Sequence, residues 1–226
     1  EVAEHPRIQS LSSVIARGSR GDFPYDNDKG TFDPSDDEEF RRKNAQHAEL
    51  SVYQDLRWKL KKGTLHALAL GSERTGGFPG PAVHPTPRVR RQSQRALLAL
   101  SYDVHAGRAG SAGRRRLQLT GAAAYGRDRF SDIHGQTGIS RQRDTDDRTL
   151  SAFARGAGTI GIVKGLEATV VTSYQLDVYA PQDAYQFPRP ANSTRHTGAG
   201  ALELAHRGKL GRARYELRPS ARIAVS

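Results

Sequence analysis

Long stretches of this chain alternate between apolar and polar at every residue, and that period restricts what the chain can fold into. Successive side chains of a β-strand point to opposite faces, so a period of two gives a strand one greasy face and one wet face. From Ala48 to Leu60 the even positions read Ala48, Leu50, Val52, Gln54, Leu56, Trp58, Leu60, while the odd ones read Glu49, Ser51, Tyr53, Asp55, Arg57, Lys59. From Leu166 to Val178 the even face is Leu166, Ala168, Val170, Thr172, Tyr174, Leu176, Val178. Its partner face carries Glu167, Thr169, Val171, Ser173, Gln175 and Asp177. Shorter runs follow the same rule at Ala96–Val104 and Leu117–Tyr125. Weaker candidates cover about 8–17, 64–74, 148–160, 195–206 and 212–225, which makes about nine strands.

The connections alternate as well. Long polar segments at about 18–43, 75–90, 128–147 and 181–194 interleave with short turns. The turns fall at Lys61-Lys62-Gly63, about 105–113, Gly161–Gly165 and Arg207–Gly211. This rhythm predicts an all-β, antiparallel up-and-down meander with one elaborated rim and one tight rim. A Greek-key sandwich would break that order. No repeat of 20–50 residues is present, which disfavours propellers and solenoids.

Two environments suit such strands. A soluble sheet covers its apolar face with protein, whereas an outer-membrane barrel presents it to lipid. Three details favour lipid. The apolar faces of the four clear strands carry no charge, although charged residues make up 26% of the chain. The strands run to about ten to fifteen residues, against the ~9–11 that a tilted membrane strand needs and the ~5–6 usual in globular sheets. The apolar-face aromatics fall toward strand ends, with Trp58 and Tyr102 near the short-turn rim and Tyr125 and Tyr174 toward the long-loop rim. Aromatic girdles of that kind sit at headgroup level.

Composition excludes several chemistries. With no cysteine there is no disulfide framework, thiolate nucleophile or Cys-ligated zinc. The eight histidines show no HExxH and no pair set for a metal on one element. Asp26, Asp28, Gly30 and Asp37 miss the spacing of a calcium loop and read as a solvated turn. No cofactor, metal centre or catalytic residue is expected, so the chain is read as not an enzyme. The net charge of +11 raises nucleic acid as a partner. The aromatics that would stack bases lie on the apolar register instead, away from Arg88–Arg95 and Arg114–Arg116. Arg114–Arg116 are expected at the short-turn rim, snorkelling to headgroups, and Arg88–Arg95 at the long-loop rim. With no Met, the chain is expected to be a mature or excised piece.

Two segments resemble the TonB-dependent outer-membrane receptors. The first is Gly21-Asp22-Phe23-Pro24-Tyr25-Asp26-Asn27-Asp28-Lys29-Gly30-Thr31, followed by Asp36-Asp37 and Arg41-Arg42-Lys43-Asn44-Ala45. It is similar to the opening barrel hairpin of such receptors. The second, Ser72-Glu73-Arg74-Thr75-Gly76-Gly77-Phe78-Pro79-Gly80 with Thr86-Pro87-Arg88-Val89-Arg90, is similar to their next outer loop. Together they cover roughly the first hundred residues. The resemblance implies residues 1–226 as a partial transmembrane β-barrel domain in the bacterial outer membrane, lacking the plug and the C-terminal strands. It implies uptake of a nutrient complex such as a ferric siderophore or cobalamin. Partners would be the bilayer, lipopolysaccharide, the ligand and, through the missing plug, a TonB-type energising complex; nucleic acid is not among them. The alternatives are a non-transport outer-membrane β-barrel and a soluble basic β-domain that binds nucleic acid. Ligand-binding candidates on the long loops are Phe23, Tyr25, Phe78, Arg88, Tyr185 and Phe187, and the polar register (Glu49, Asp55, Arg57, Glu167, Gln175, Asp177) should face a lumen.

Overall fold

A computed structural model describes residues 7–27, 29–30, 33, 35, 37–80, 85–107, 112–137, 142–210 and 213–225. Its elements are strands: β1 (Ile8–Ser19), β2 (Pro24–Asn27), β3 (Glu38–Arg41), β4 (His47–Leu60), β5 (Gly63–Gly77) and β6 (Arg90–Ala106). They continue with β7 (Arg115–Asp132), β8 (Arg143–Val163), β9 (Leu166–Ala180), β10 (Ser193–Leu210), β11 (Ala213–Leu217) and β12 (Ser220–Val225). All but β2 and β3 form one ten-stranded antiparallel sheet in the order β1-β4-β5-β6-β7-β8-β9-β10, with β11 and β12 both on β10. The chain is an all-β meander.

Those last two strands are one strand in two pieces. Leu217 lies opposite His206 and Ser220 opposite Glu203, so the register passes across the gap unchanged. Between them Pro219 accepts a hydrogen bond from the Leu204 amide at 3.0 Å but has no N–H to return one. The nine strands expected from the period are therefore the nine physical strands of the main sheet. The hairpin of β2 and β3, pairing Pro24 with Arg41 and Asn27 with Glu38, stands apart inside the first long connection. The alternation did not foretell it, because neither strand is long enough to show a period.

The main sheet is a single layer. Each of its strands contacts only its ladder neighbours, so no second sheet packs against it. Among the described residues the buried apolar side chains are Val89 and Ala205 alone. Leu50, Leu98, Leu119, Leu150 and Val170 stand about half exposed on the apolar face. Among the described residues there is no hydrophobic core to hold the sheet together in water. Order comes instead from continuous ladders of backbone hydrogen bonds.

Register sharpens both faces. On the apolar face Trp58, Leu65 and Tyr102 form one cross-strand row. Farther along, Val52, Gly71, Ala96, Tyr125, Leu150 and Val178 form another. One step beyond it the same face reads Leu50, Glu73, Gln94, Arg127, Arg148, Ala180. The greasy band thus ends along one row across the middle strands. Tyr174 departs from the expected position. It pairs with Ala154, in the row of Gly121 and Leu100, next to the Trp58 row and well inside its strand. Its hydroxyl meets His196 Nδ1 at 2.6 Å. Of the two aromatics expected toward the long-loop rim, Tyr125 alone stands in that outer row.

The polar face carries the ion pairs. Asp55 meets His66 at 2.9 Å, Asp103 meets Arg116 at 2.5 Å, and Asp128 meets Arg95 at 2.5 Å. Asp177 meets Arg195 at 2.9 Å, and Glu216 bridges Arg207 and Arg218. Arg114 reaches Glu167 at 2.8 Å. The basic triplet is thus not a free cluster. Arg114 and Arg116 are tied into polar-face pairs, and Arg115 alone has the apolar register at that strand end.

Candidate functional site

The long connections gather at one edge of the sheet, and the strands that carry them outrun the apolar band. β6, β7 and β8 extend past the expected bounds, at Arg90–Arg95, Gly126–Asp132 and Arg143–Asp147. The hydrophobic period stops there, but the ladder continues because ion pairs replace apolar contacts. Arg127 and Arg148 both reach Asp146, at 2.6 and 3.0 Å, and Arg129 lies 3.7 Å from Asp144.

Asn44 organises the rim. It sits at φ 62°, a left-handed conformation that asparagine tolerates better than most residues. Its Nδ2 lies within donating distance of three carbonyls, those of Phe78 at 3.1 Å, Thr86 at 2.6 Å and Val89 at 2.7 Å. Its Oδ1 accepts from Gln46 and Arg90. One amide thus ties the first long loop to the second, beside the fully buried Thr86 and Val89. Gly77 leaves the space, because a Cβ there would collide with Asn44. Arg42 adds a second tie by donating to the Gly80 carbonyl. The second loop is joined to the third through the Arg88 amide, which donates to Gln136 Oε1 at 3.0 Å, and through Arg88 Nη1 at 3.4 Å from His134.

Asp132 closes the third loop. Only 2% exposed, it accepts hydrogen bonds from the Gln136 amide at 2.7 Å and from the Thr137 amide and hydroxyl at 2.8 Å. Burial pushes its carboxyl up, and these donors together outweigh burial, leaving its pKa below the usual carboxylate value. The fourth loop docks on β8 through Asp146 N to Gln182 O at 2.9 Å and Ala184 N to Asp144 O at 3.0 Å.

The six candidate residues separate into two groups. Tyr25 and Phe78 are used in packing: Tyr25 lies against Phe40 and under the Arg42 guanidinium, and Phe78 sits edge-on to Phe130 at 5.9 Å. Arg88 is committed to the third loop. Phe23, Tyr185 and Phe187 are exposed, Phe187 at 94%. Phe23, Tyr25, Phe78 and Arg88 lie on the loops that Asn44 and Arg88 tie together, whereas Tyr185 and Phe187 belong to the fourth loop, on the far side of β8. Asp28, Thr31 and Asp36 lie outside the described residues, as does the link at Gly211. Within the same turn Asn27 Oδ1 accepts from the Lys29 amide at 3.1 Å, an Asx turn. Among the described residues no His, Asp or Glu cluster is arranged to hold a metal ion.

Sequence reasoning missed Asn44 and Asp132 as organisers. Asn44 falls inside a segment that resembles the receptors, but a single side chain bridging three distant carbonyls leaves no periodic trace. Comparison of the sequence with models of known protein families and with curated proteins gives no match.

Proposed function

We propose that the sheet is part of a transmembrane β-barrel in a bacterial outer membrane, and that the whole barrel belongs to a TonB-dependent receptor admitting a nutrient complex such as a ferric siderophore or cobalamin. The observation that carries the membrane part is an inside-out distribution. Large apolar side chains are exposed across one face, while the opposite face is the better shielded and holds the cross-strand ion pairs. In water that arrangement leaves apolar surface far beyond what soluble monomers show. In lipid it is the expected one. Better shielding of the polar register also fits a sheet that curls toward it, as a lumen requires.

Receptor function rests on the rim. The first two long loops carry the segments that resemble the receptors, and Asn44 joins those same two segments in space. A stapled, basic rim with exposed Phe23, Tyr185 and Phe187 suits capture of a bulky anionic complex. The outer edges of β1 and β12, which have no partner among the described residues, are where further barrel strands or a closing partner would add. Disrupting the gene in its source bacterium tests the transport part. The mutant should fail to grow when iron or cobalamin is supplied only as the cognate complex. Normal growth on every such complex would remove transport and leave the membrane part standing.

A further inference from the structure

A hollow on the polar face lies directly under residues 44–47 and is unlike the rest of that face. Its floor is Gly76, in the same row as His47 on β4 and Arg91 on β6; a Cβ there would crowd the Gln46 carbonyl, so glycine lets residues 46–47 pass close over the row. Arg74 and Ser93 flank it in the next row, and Gln46 and Phe78 wall its upper side. The enclosed volume is about 260 Å³, and no carboxylate lines it.

The charge there is only partly compensated. Most arginines along this rim are held by a partner: Arg95 by Asp128, Arg127 and Arg148 by Asp146, Arg129 by Asp144, Arg90 by Asn44. Arg74 and Arg91 form no ion pair among the described residues. Glu49 lies opposite Arg74 in register without reaching it, and Asp128, which feels the Arg91 charge, is already held by Arg95 at 2.5 Å. Two guanidinium forks on diagonal positions, with the Gln46 amide and the His47 imidazole beside them, are the donor set of an oxyanion site, while the Ser93 hydroxyl is given to Asp128.

We propose that this hollow binds a phosphate-class oxyanion carried by a soluble ligand, with Arg74 and Arg91 as the principal contacts. In a membrane-spanning barrel the polar face, and the hollow with it, points away from lipid; the proposal rests on the barrel assignment only for the ligand's source. A lipopolysaccharide phosphate shares the chemistry but would approach from the apolar side.

Calorimetric titration of the full chain in zwitterionic detergent micelles, with inorganic pyrophosphate as the probe, tests it. Saturable one-to-one binding is expected, weakened at least tenfold in Arg74→Gln and in Arg91→Gln. Arg155→Gln, which removes another unpaired polar-face arginine outside the hollow, should bind as the parent does. Absence of saturable binding, or equal affinity in the Arg74→Gln/Arg91→Gln double variant, overturns the proposal. So does loss in Arg155→Gln as large as in the two site variants. Binding of lipopolysaccharide micelles but not pyrophosphate overturns the soluble source. Neither failure touches membrane insertion, which is read separately by lipid partitioning.

Discussion

Single residues carry more of this structure than usual, because among the described residues there is no core to share the load. Asn44 holds three carbonyls of the second loop, so Asn44→Gly keeps the left-handed backbone and removes only the tie. Losing a half-buried, multiply bonded amide costs about 1–3 kcal/mol. Amide exchange should therefore accelerate in 78–80 and 85–89 and stay unchanged in β9; unchanged exchange in the loop would show that the tie is incidental. Two glycines give a paired test of strain. Gly165 (φ 83°) and Gly113 (φ 76°) both need the left-handed region, but a Cβ at Gly165 would run into the Arg207 carbonyl, and one at Gly113 meets open space. Gly113→Ala should cost about 1 kcal/mol of backbone strain, and Gly165→Ala clearly more, read as the larger drop in unfolding midpoint. Asp132 supplies a pH dependence. Because its folded pKa is depressed, its contribution is present above the unfolded value near 4. That contribution is lost as pH falls through the folded value, so the protection of the Gln136 and Thr137 amides, taken against their intrinsic exchange rates, should fall in acid. In Asp132→Asn those amides should be less protected at neutral pH and show little further loss in acid.

Strands were legible in the sequence where hydrophobicity alternates and illegible where charge takes over. The run Ala48–Leu60 gave β4 almost to the residue, since nearly every second side chain there is apolar and lies on one face. The run Leu117–Tyr125 gave only the middle of β7, because Arg127, Arg129 and their aspartate partners continue the ladder without an apolar signal. The site was legible only as a set of loops. Which aromatics gain a packing partner depends on rings such as Phe40 and Phe130, far away in sequence or on another strand, and no local pattern reports them. The faces of β6 offer the test that belongs at this scale. Leu98 lies mid-strand on the apolar face, about half exposed, and Ala99 beside it faces the polar side. In a lipid-facing strand Leu98→Arg costs roughly 2–4 kcal/mol and Ala99→Arg little. Folding yield into vesicles should fall for the first substitution and hold for the second. If Leu98 faced water instead, arginine there would be neutral, and equal yields would say so.

The whole molecule is a one-layer sheet with a greasy band on one face, ion pairs on the other and all its elaborate connections at one rim. The +11 charge, which alone suggests nucleic acid, is spread over cross-strand pairs and rim loops rather than gathered beside stacking aromatics. Such a molecule should prefer lipid to water, and the chain contains its own probe of that preference. Trp58 is the single tryptophan, 43% exposed on the apolar face in the row it shares with Tyr102. Fluorescence of the chain folded into phosphatidylcholine vesicles, brominated either near the headgroups or deep in the acyl chains, reports where that ring lies. A lipid-facing girdle residue should be strongly quenched, more by the shallow bromines than by the deep ones. Emission typical of a water-exposed indole, untouched by either bromolipid, would overturn the membrane assignment.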